Sequence, residues 1–163
     1  MSGDLVTIAP LALAVLVAAA VLVADIVLPG RKAPALAVAL AGLALVAVAA
    51  IAVGRTPATA FDGSYTVDAL TTFLDVLFVA VVAMTILFAP DYLEPRDLPI
   101  AEFSAVIIFA LAGVMLISAS TDLMLLFLGL ELMVLPGYLL AGFAKRDARE
   151  FEVTFSVATG GPA

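Results

Sequence analysis

The stretch TDLMLLFLGLELMVLPGYLLAGFAKRDAR, residues 121–149, decides the fold class of this sequence. Apart from Asp122 at its start, the run 122–143 is apolar except for the carboxylate of Glu131 and the phenol of Tyr138. A helix over this run would be about 33 Å long at ~1.5 Å per residue, enough to cross a bilayer core of about 30 Å. The stretch therefore predicts a transmembrane helix with an acid near its centre.

Glu131 is the first candidate functional residue, because it lies about 14 Å from the Asp122 end of this helix. A charge at that depth costs at least ~3 kcal/mol on insertion scales, and such residues usually mark an ion or proton path. Two interpretations stay open: a proton relay, which we favour, and a buried acid bonded to a neighbouring helix. Pro136 has no N–H, so the carbonyl of Leu132 loses its helical donor and we expect a break or bend there.

The composition places the whole chain in a membrane. Hydrophobic residues make up 65% of the 163 residues, and the mean hydropathy is +1.26, whereas soluble domains are about 45–50% apolar. We predict an all-α, polytopic transmembrane helix bundle of five spans plus the start of a sixth. The predicted spans are 5–28, 34–53, 67–88, 100–118 and 122–143, and 144–163 is predicted to be a loop followed by a poor start of a sixth span.

Several classes of function are excluded by missing residue types. The chain has no cysteine and no histidine, which removes thiolate-held Fe–S clusters, His-ligated haem, the usual zinc sites and Cys or His nucleophiles. The formal net charge of −7 argues against a nucleic-acid partner. We therefore expect no metal and no cofactor in this chain, and a lipid bilayer as its surroundings.

A second acid, Asp75, lies within the third predicted span. Asp68 is placed to cap the start of that helix, and Asp75 follows about 11 Å further in. The two acids are seven residues apart and therefore share a face, with Thr71 and Thr72 between them. Asp75 is expected either to line a hydrated cavity or to be paired or neutral inside the bundle, and the sequence favours neither.

The segments between the spans are predicted to be loops. Residues 54–66 contain the turn signal Asp62-Gly63, and residues 90–99 contain three prolines. The turn at 118–122 is short, so spans four and five are expected to be antiparallel neighbours. The second span carries no polar side chain and is expected to be structural.

The orientation follows from the distribution of basic residues. With five alternating spans, six of the seven basic residues fall on one side and Arg55 alone on the other. The basic side is expected to be cytoplasmic, which places the N-terminus outside and the loop after span five inside. The six residues are Arg31, Lys32, Arg96, Lys145, Arg146 and Arg149.

The block FLGLELMVLPGYLLAGFAKRD at 127–147, preceded by Asp122-Leu123, is similar to a known family. It resembles antiporter-like subunit N of the proton-pumping NADH–quinone oxidoreductase, respiratory complex I. The block is fairly specific, and it occurs in looser form in sister subunits and in multisubunit cation/proton antiporters. The resemblance covers roughly residues 60–150, and the first two spans in pattern only. Further matching residues are Phe61 to Gly63, Val67-Asp68, Asp91 to Leu93, Glu102-Phe103, Ala112-Gly113 and Ser118-Ala119.

The resemblance implies a fourteen-helix protein in which spans four to eight form one of two inverted repeats. It implies that Glu131 is a functional acid coupled to lysines in later spans, and we count Pro136, Tyr138 and Asp75 as supporting residues. The implied function is proton translocation coupled to quinone reduction in a prokaryotic plasma membrane. NADH, flavin, Fe–S clusters and quinone are then expected in partner subunits, and the partners are the other membrane subunits of the complex.

Two departures from the family concern the end of the chain. The family continues for several hundred residues beyond this sequence, and Ser156 stands where a lysine of the sixth span is expected. We expect a truncated or split gene product, or a fragment, that is inactive alone. Two other classes stay open: a subunit of a cation/proton antiporter that exchanges a proton against Na⁺, and a purely structural membrane bundle.

Overall fold

The computed structural model describes residues 2–28, 32–96 and 98–143, which form long helices and one short β-hairpin. Five of the helices, α2 to α6, are long and apolar enough to cross a membrane. The predicted all-α, polytopic fold class is confirmed. The helices are α1 (Ser2–Thr7), α2 (Ala9–Val27), α3 (Lys32–Val53), α4 (Ala69–Leu93), α5 (Ile100–Ala119) and α6 (Leu123–Phe143), and the strands are β1 (Ala58–Ala60) and β2 (Tyr65–Val67).

Helix α5 lies at the centre of the bundle, where it packs against α2, α3, α4 and α6. Alanines such as Ala105 and Ala112 are buried along it, and small side chains let neighbouring helices approach closely in lipid. Ile108, Leu111 and Met115 fill the space between them and are almost fully buried. The core of the described chain is therefore built around one apolar helix.

The first predicted span, 5–28, is two helices in the structure. The short α1 ends at Thr7 and α2 begins at Ala9. Ile8, between them, has φ −89° and ψ 0°, and Pro10 stands in the first turn of α2. Proline has no N–H to donate to the preceding turn, so it is favoured at a helix start and disfavoured inside a continuous helix.

The predicted loop at 54–66 contains a hairpin that the sequence reading missed. Strands β1 and β2 pair antiparallel, and the turn between them has three successive residues with positive φ: 54° at Phe61, 54° at Asp62 and 90° at Gly63. The Asp-Gly turn signal was right, but an alternation over three residues is too short to identify a strand. The backbone N–H of Thr121 donates to the carbonyl of Ser64 at 2.9 Å, which fastens the hairpin to the turn between α5 and α6.

The predicted loop at 90–99 was placed to begin too early. Helix α4 runs through Pro90 and ends at Leu93, and a single 3₁₀ turn follows. Ala89 and Leu93 are buried against Ile100 at the start of α5, and this packing holds the last turn in helical form despite the proline. Residues 29–31 and 97, and the loop and sixth-span start predicted at 144–163, lie outside the described residues.

Candidate functional site

The position of Glu131 is set by a very close contact between α5 and α6. A Cβ placed on Gly113 would lie 2.6 Å from the backbone nitrogen of Met133. A Cβ on Gly129 would lie 2.8 Å from a side-chain carbon of Ile117. The two backbones therefore touch at a level beside Glu131, and no residue larger than glycine fits there.

The Glu131 carboxylate lies on the side of α6 that faces away from α5. Within residues 123–140 of this helix, Gly129 and Pro136 are buried, whereas Glu131 and Tyr138 are exposed. Because Glu131 and Tyr138 are seven residues apart, they lie on one helix face about 10 Å apart along the axis. We call this side, with Leu128 and Leu135, the open face of α6; within the described residues nothing covers it.

Glu131 has no hydrogen-bond or ion-pair partner in the described part of the chain. If Glu131 is a buried acid bonded to a neighbouring helix, its partner is not among residues 2–28, 32–96 and 98–143. Of the break or bend expected at Pro136, the break is wrong, because α6 is continuous from Leu123 to Phe143. The bend stays a prediction. Pro136 is buried on the α5 side, and this packing keeps the helix intact although the carbonyl of Leu132 still lacks its N–H donor.

Asp75 lies in a different setting, inside the contact between α4 and α5. Its side chain is 4% exposed, and the hydroxyl of Ser118 lies 3.0 Å from its Oδ1 atom. One turn earlier on α4, the hydroxyl of Thr71 lies 3.3 Å from the backbone carbonyl of the same Ser118. The structure therefore places Asp75 in the bundle with a hydroxyl partner, the second of the two arrangements that the sequence left open.

The start of α4 is capped by Asp68, as predicted. The backbone N–H of Thr71 donates to the Asp68 carboxylate at 2.8 Å, and the Thr71 hydroxyl lies 3.1 Å from the same oxygen. The backbone hydrogen bond from Thr71, followed by that hydroxyl, lowers the pKa of Asp68 below its ordinary value. Asp68 is therefore an ionised, exposed cap two turns from the buried Asp75.

Tyr65 is a further member of the Asp75 surroundings, and the sequence reading did not identify it. It lies on β2 and is 2% exposed. Burial raises the pKa of the Tyr65 phenol far above its ordinary value, and the negative charge of Asp75 raises it further. The phenol thus stays protonated close to the carboxylate. The one available signal was the apolar alternation of Tyr65 and Val67 directly after an Asp-Gly turn.

The two acids lie at similar depth but in separate places. Asp75 is six residues from the start of α4 and Glu131 is eight residues from the start of α6. Both helices start at the hairpin end, so the depths are about 9 Å and about 12 Å. The structure brings Asp75 together with Ser118 and Tyr65, but it does not bring Glu131 near them. Among the described residues, no group of three or more acidic, His or Cys side chains could hold a metal ion.

Comparison with known proteins gives a consistent set of relatives, although no family model matches the chain. The chain is 40% identical over 146 residues to "NADH-quinone oxidoreductase subunit N 1" of Koribacter versatilis, which covers 83% of this chain and 29% of that protein. It is 33% identical over 147 residues to "NAD(P)H-quinone oxidoreductase subunit 2" of Gloeobacter violaceus, covering 88% of this chain and 28% of that protein. It is 31% identical over 134 residues to "NADH-quinone oxidoreductase subunit N" of Trichlorobacter lovleyi, covering 82% of this chain and 28% of that protein. The chain thus spans less than a third of the length of these curated relatives.

Proposed function

The chain is a homologue of NADH–quinone oxidoreductase subunit N over most of its own length, and on this premise we propose that it takes part in proton translocation, with Glu131 as the proton-carrying acid. The observation that carries the proposal is the position of this carboxyl group. It lies about 12 Å into a membrane helix, on the open face of α6, without a partner in the described chain. An acid so placed is costly in lipid, and such residues mark proton and ion paths.

We infer that further membrane helices, in the same polypeptide or in a partner subunit, cover the open face. An ionised carboxylate facing lipid would lack every hydrogen bond that water supplies, which costs several kcal/mol. The relatives are more than three times as long as the aligned part of this chain, so they contain ample sequence for such helices. The resemblance assigns lysines to those helices.

In the proposed mechanism, Glu131 alternates between its charged and neutral forms. An approaching ammonium group stabilises the ionised form by direct attraction, and its withdrawal favours uptake of a proton. Tyr138 is about 10 Å away along α6, too far for a direct hydrogen bond. We propose that it supports the path through bridging water, whereas Pro136, on the α5 side, frees the carbonyl of Leu132 one residue after the acid.

The redox chemistry is proposed to reside in partner subunits. The chain contains no cysteine or histidine, so it offers none of the ligands that Fe–S clusters or haem use most often. NADH, flavin, Fe–S clusters and quinone are assigned to the rest of the complex.

The six-to-one distribution of basic residues supports a location in a prokaryotic plasma membrane, with the N-terminus outside. The relatives named above are all quinone oxidoreductase subunits, which favours this proposal over a cation/proton antiporter or a purely structural bundle.

The test is proton uptake by vesicles that contain the assembled complex, normalised to the amount of complex. Glu131→Gln keeps the size and polarity of the side chain but cannot titrate, so we expect the pumping rate to fall at least about tenfold. Glu131→Asp should keep part of the rate, limited by its shorter reach. Glu102→Gln is the matched control, because Glu102 is an exposed acid in the first turn of α5. Normal pumping per complex in Glu131→Gln would overturn the proposal.

A further inference from the structure

The buried carboxyl of Asp75 does not contact Glu131, and its own hydrogen-bond partner, Ser118, lies in the described chain. We propose that Asp75 and Ser118 form a second proton-binding site, in which the Ser118 hydroxyl reverses its hydrogen bond when the carboxyl gains or loses a proton. This inference goes beyond the proposed function and does not need Glu131 to carry protons.

The argument begins with the hydrogen atom of Ser118. Its Oγ atom lies 3.0 Å from Oδ1 of Asp75 and 2.9 Å from the backbone carbonyl oxygen of Met115. Both partners accept hydrogen bonds, but a hydroxyl group carries a single hydrogen. Ser118 can therefore donate fully to one of them at a time.

Two protonation states follow from this arrangement. When Asp75 is ionised, Ser118 donates its hydrogen to the carboxylate. When Asp75 is protonated, its own O–H donates to the Ser118 oxygen, and the Ser118 hydrogen turns to the Met115 carbonyl. In both states one hydrogen bond joins Oδ1 of Asp75 to Oγ of Ser118. The buried carboxyl group therefore keeps a hydrogen-bond partner whether or not it is protonated.

The charged groups around α4 leave both states open. The elements that pack against this helix carry one titratable group near the carboxyl, Tyr65, whose phenol stays protonated because burial and the Asp75 charge raise its pKa. No described cation is bonded to Asp75. The other described titratable groups on α4 and the elements around it lie near the element ends: Asp68 at the exposed cap, Asp62 in the hairpin turn, Arg55 after α3, Asp91 and Tyr92 in the last turn of α4, Glu94 after it, and Glu102 at the opposite end of α5.

The β-hairpin covers the Asp75 site on one side. Asp75 lies about 9 Å below the start of α4, and Tyr65 of β2 is buried above it, where it pairs with Ser120 at the end of α5. Asp75 is therefore closer to the hairpin end of α4 than to its far end, and the hairpin covers the site on that side.

Infrared spectroscopy of the 163-residue chain in lipid vesicles tests the proposal. Changing the buffer from alkaline to acidic should produce the carbonyl stretch of a protonated carboxyl group in an apolar site. This band should shift when the aspartates carry ¹³C in their carboxyl groups, and it should be absent in Asp75→Asn. It should persist in Asp62→Asn, which changes an exposed acid of the hairpin turn, and in Glu131→Gln.

Ser118→Ala is the second variant, and it keeps the test decisive if Asp75→Asn does not fold. The band should then move in frequency, because the protonated carboxyl loses the oxygen that accepts its hydrogen. Ser120→Ala is the matched control, since the Ser120 hydroxyl bonds the carbonyl of Ile117 instead.

Three results would overturn the inference. One is a band that never appears, or never disappears, over the whole pH range. Another is a band that shifts with labelled glutamate rather than aspartate, which would assign it to a different acid. The last is a band that Ser118→Ala leaves unmoved. A loss of pumping in Glu131→Gln together with an intact aspartate band would support both proposals. Normal pumping in Glu131→Gln would overturn the relay proposed for Glu131, and a missing aspartate band would overturn the site proposed at Asp75.

Discussion

Asp75 and Glu131 are two acids at almost the same depth of the bundle, and their surroundings are opposite. Asp75 is enclosed between α4 and α5 and has a hydroxyl partner at 3.0 Å. Glu131 lies on the open face of α6 and has no partner among the described residues. The depth of an acid in a membrane helix therefore does not by itself define its role. The helix face on which the acid lies decides whether it finds a hydrogen-bond partner within the described residues.

The largest effect on the positions of the two acids is expected from separating α5 from α6. In Gly113→Leu the side chain meets the backbone of Met133 and Gly129, and we expect the chain to lose about 3 kcal/mol or more of stability. Helix α6 and Glu131 should be displaced, while the contact between α4 and α5 is spared. Denaturant unfolding in detergent, followed by circular dichroism, measures the loss.

Gly137→Leu is the matched control for that experiment, because a Cβ at Gly137 meets nothing within 4 Å. Its stability should stay close to that of the unchanged chain. Equal losses in the two variants would contradict the close contact of α5 and α6.

A smaller effect is expected from removing each acid in turn. Asp75→Ala removes a buried hydrogen bond to a polar or charged group and should cost about 1.5–3 kcal/mol. Glu131→Ala should change the stability of the 163-residue chain very little, since Glu131 contacts no described partner. The same unfolding assay compares them. A large loss in Glu131→Ala would show that the open face is covered within this chain.

Thiol labelling can measure whether the open face of α6 is covered, because the chain has no cysteine of its own. A cysteine at Tyr138, which is 72% exposed, should react with a membrane-permeant maleimide in the isolated chain and much less in the assembled complex. A cysteine at Ser104, which is 0% exposed, should stay unreactive in both. Equal labelling of Tyr138→Cys in the chain and the complex would mean that no helix covers the open face.

The orientation can be tested in the same way. A cysteine at Ser64 should react with an impermeant reagent from outside, and one at Ala148 should not. This result decides which aqueous phase lies nearer to Asp75. The reverse pattern would overturn the orientation inferred from the basic residues.

The smallest predicted effect concerns the phenol of Tyr65. Burial first and the Asp75 charge second raise its pKa, so the folded chain keeps this proton at a pH where the unfolded chain, with a pKa of about 10, loses it. The stability contribution is therefore complete below pH ~10 and is lost as the pH rises towards the folded pKa. Tyr65→Phe should abolish this alkaline loss.

The same phenol distinguishes the two acids. Asp75→Asn should lower the Tyr65 titration midpoint, because it removes the neighbouring negative charge. Glu131→Gln should leave the midpoint unchanged. Tyrosinate absorbance measures both midpoints. An unchanged midpoint in Asp75→Asn would contradict the proximity of the two groups.

Much of the fold could be predicted from the sequence, because lipid imposes simple rules. Length and apolar composition are sufficient to predict five spanning helices, and the capping role of Asp68 follows from its residue type and position. Two of the errors concerned prolines, where a loop was expected to begin at Pro90 and a break was expected at Pro136. Pro90 and Pro136 each lie inside a continuous helix, because packing of the adjacent turns on α5 outweighs a cost of about 3 kcal/mol.

The candidate site was less predictable for a physical reason. In a membrane helix nearly every face is apolar, so no periodic pattern shows which side meets another helix. The sequence could therefore identify Glu131 and Asp75 as unusual acids but could not assign Asp75 to a buried contact and Glu131 to the open face. Tyr65 was missed because its hairpin is formed by two three-residue strands.

The hairpin has a mechanical consequence for these two acids. Strand β2 leads directly through Asp68 into α4, and the carbonyls of Gly63 and Ser64 accept hydrogen bonds from Thr121, two residues before α6. The hairpin is thus a cross-brace between the first turns of the two helices that carry Asp75 and Glu131. A load that displaces one helix start is transmitted to the other, so the two carboxyl groups share one anchor although no bond joins them.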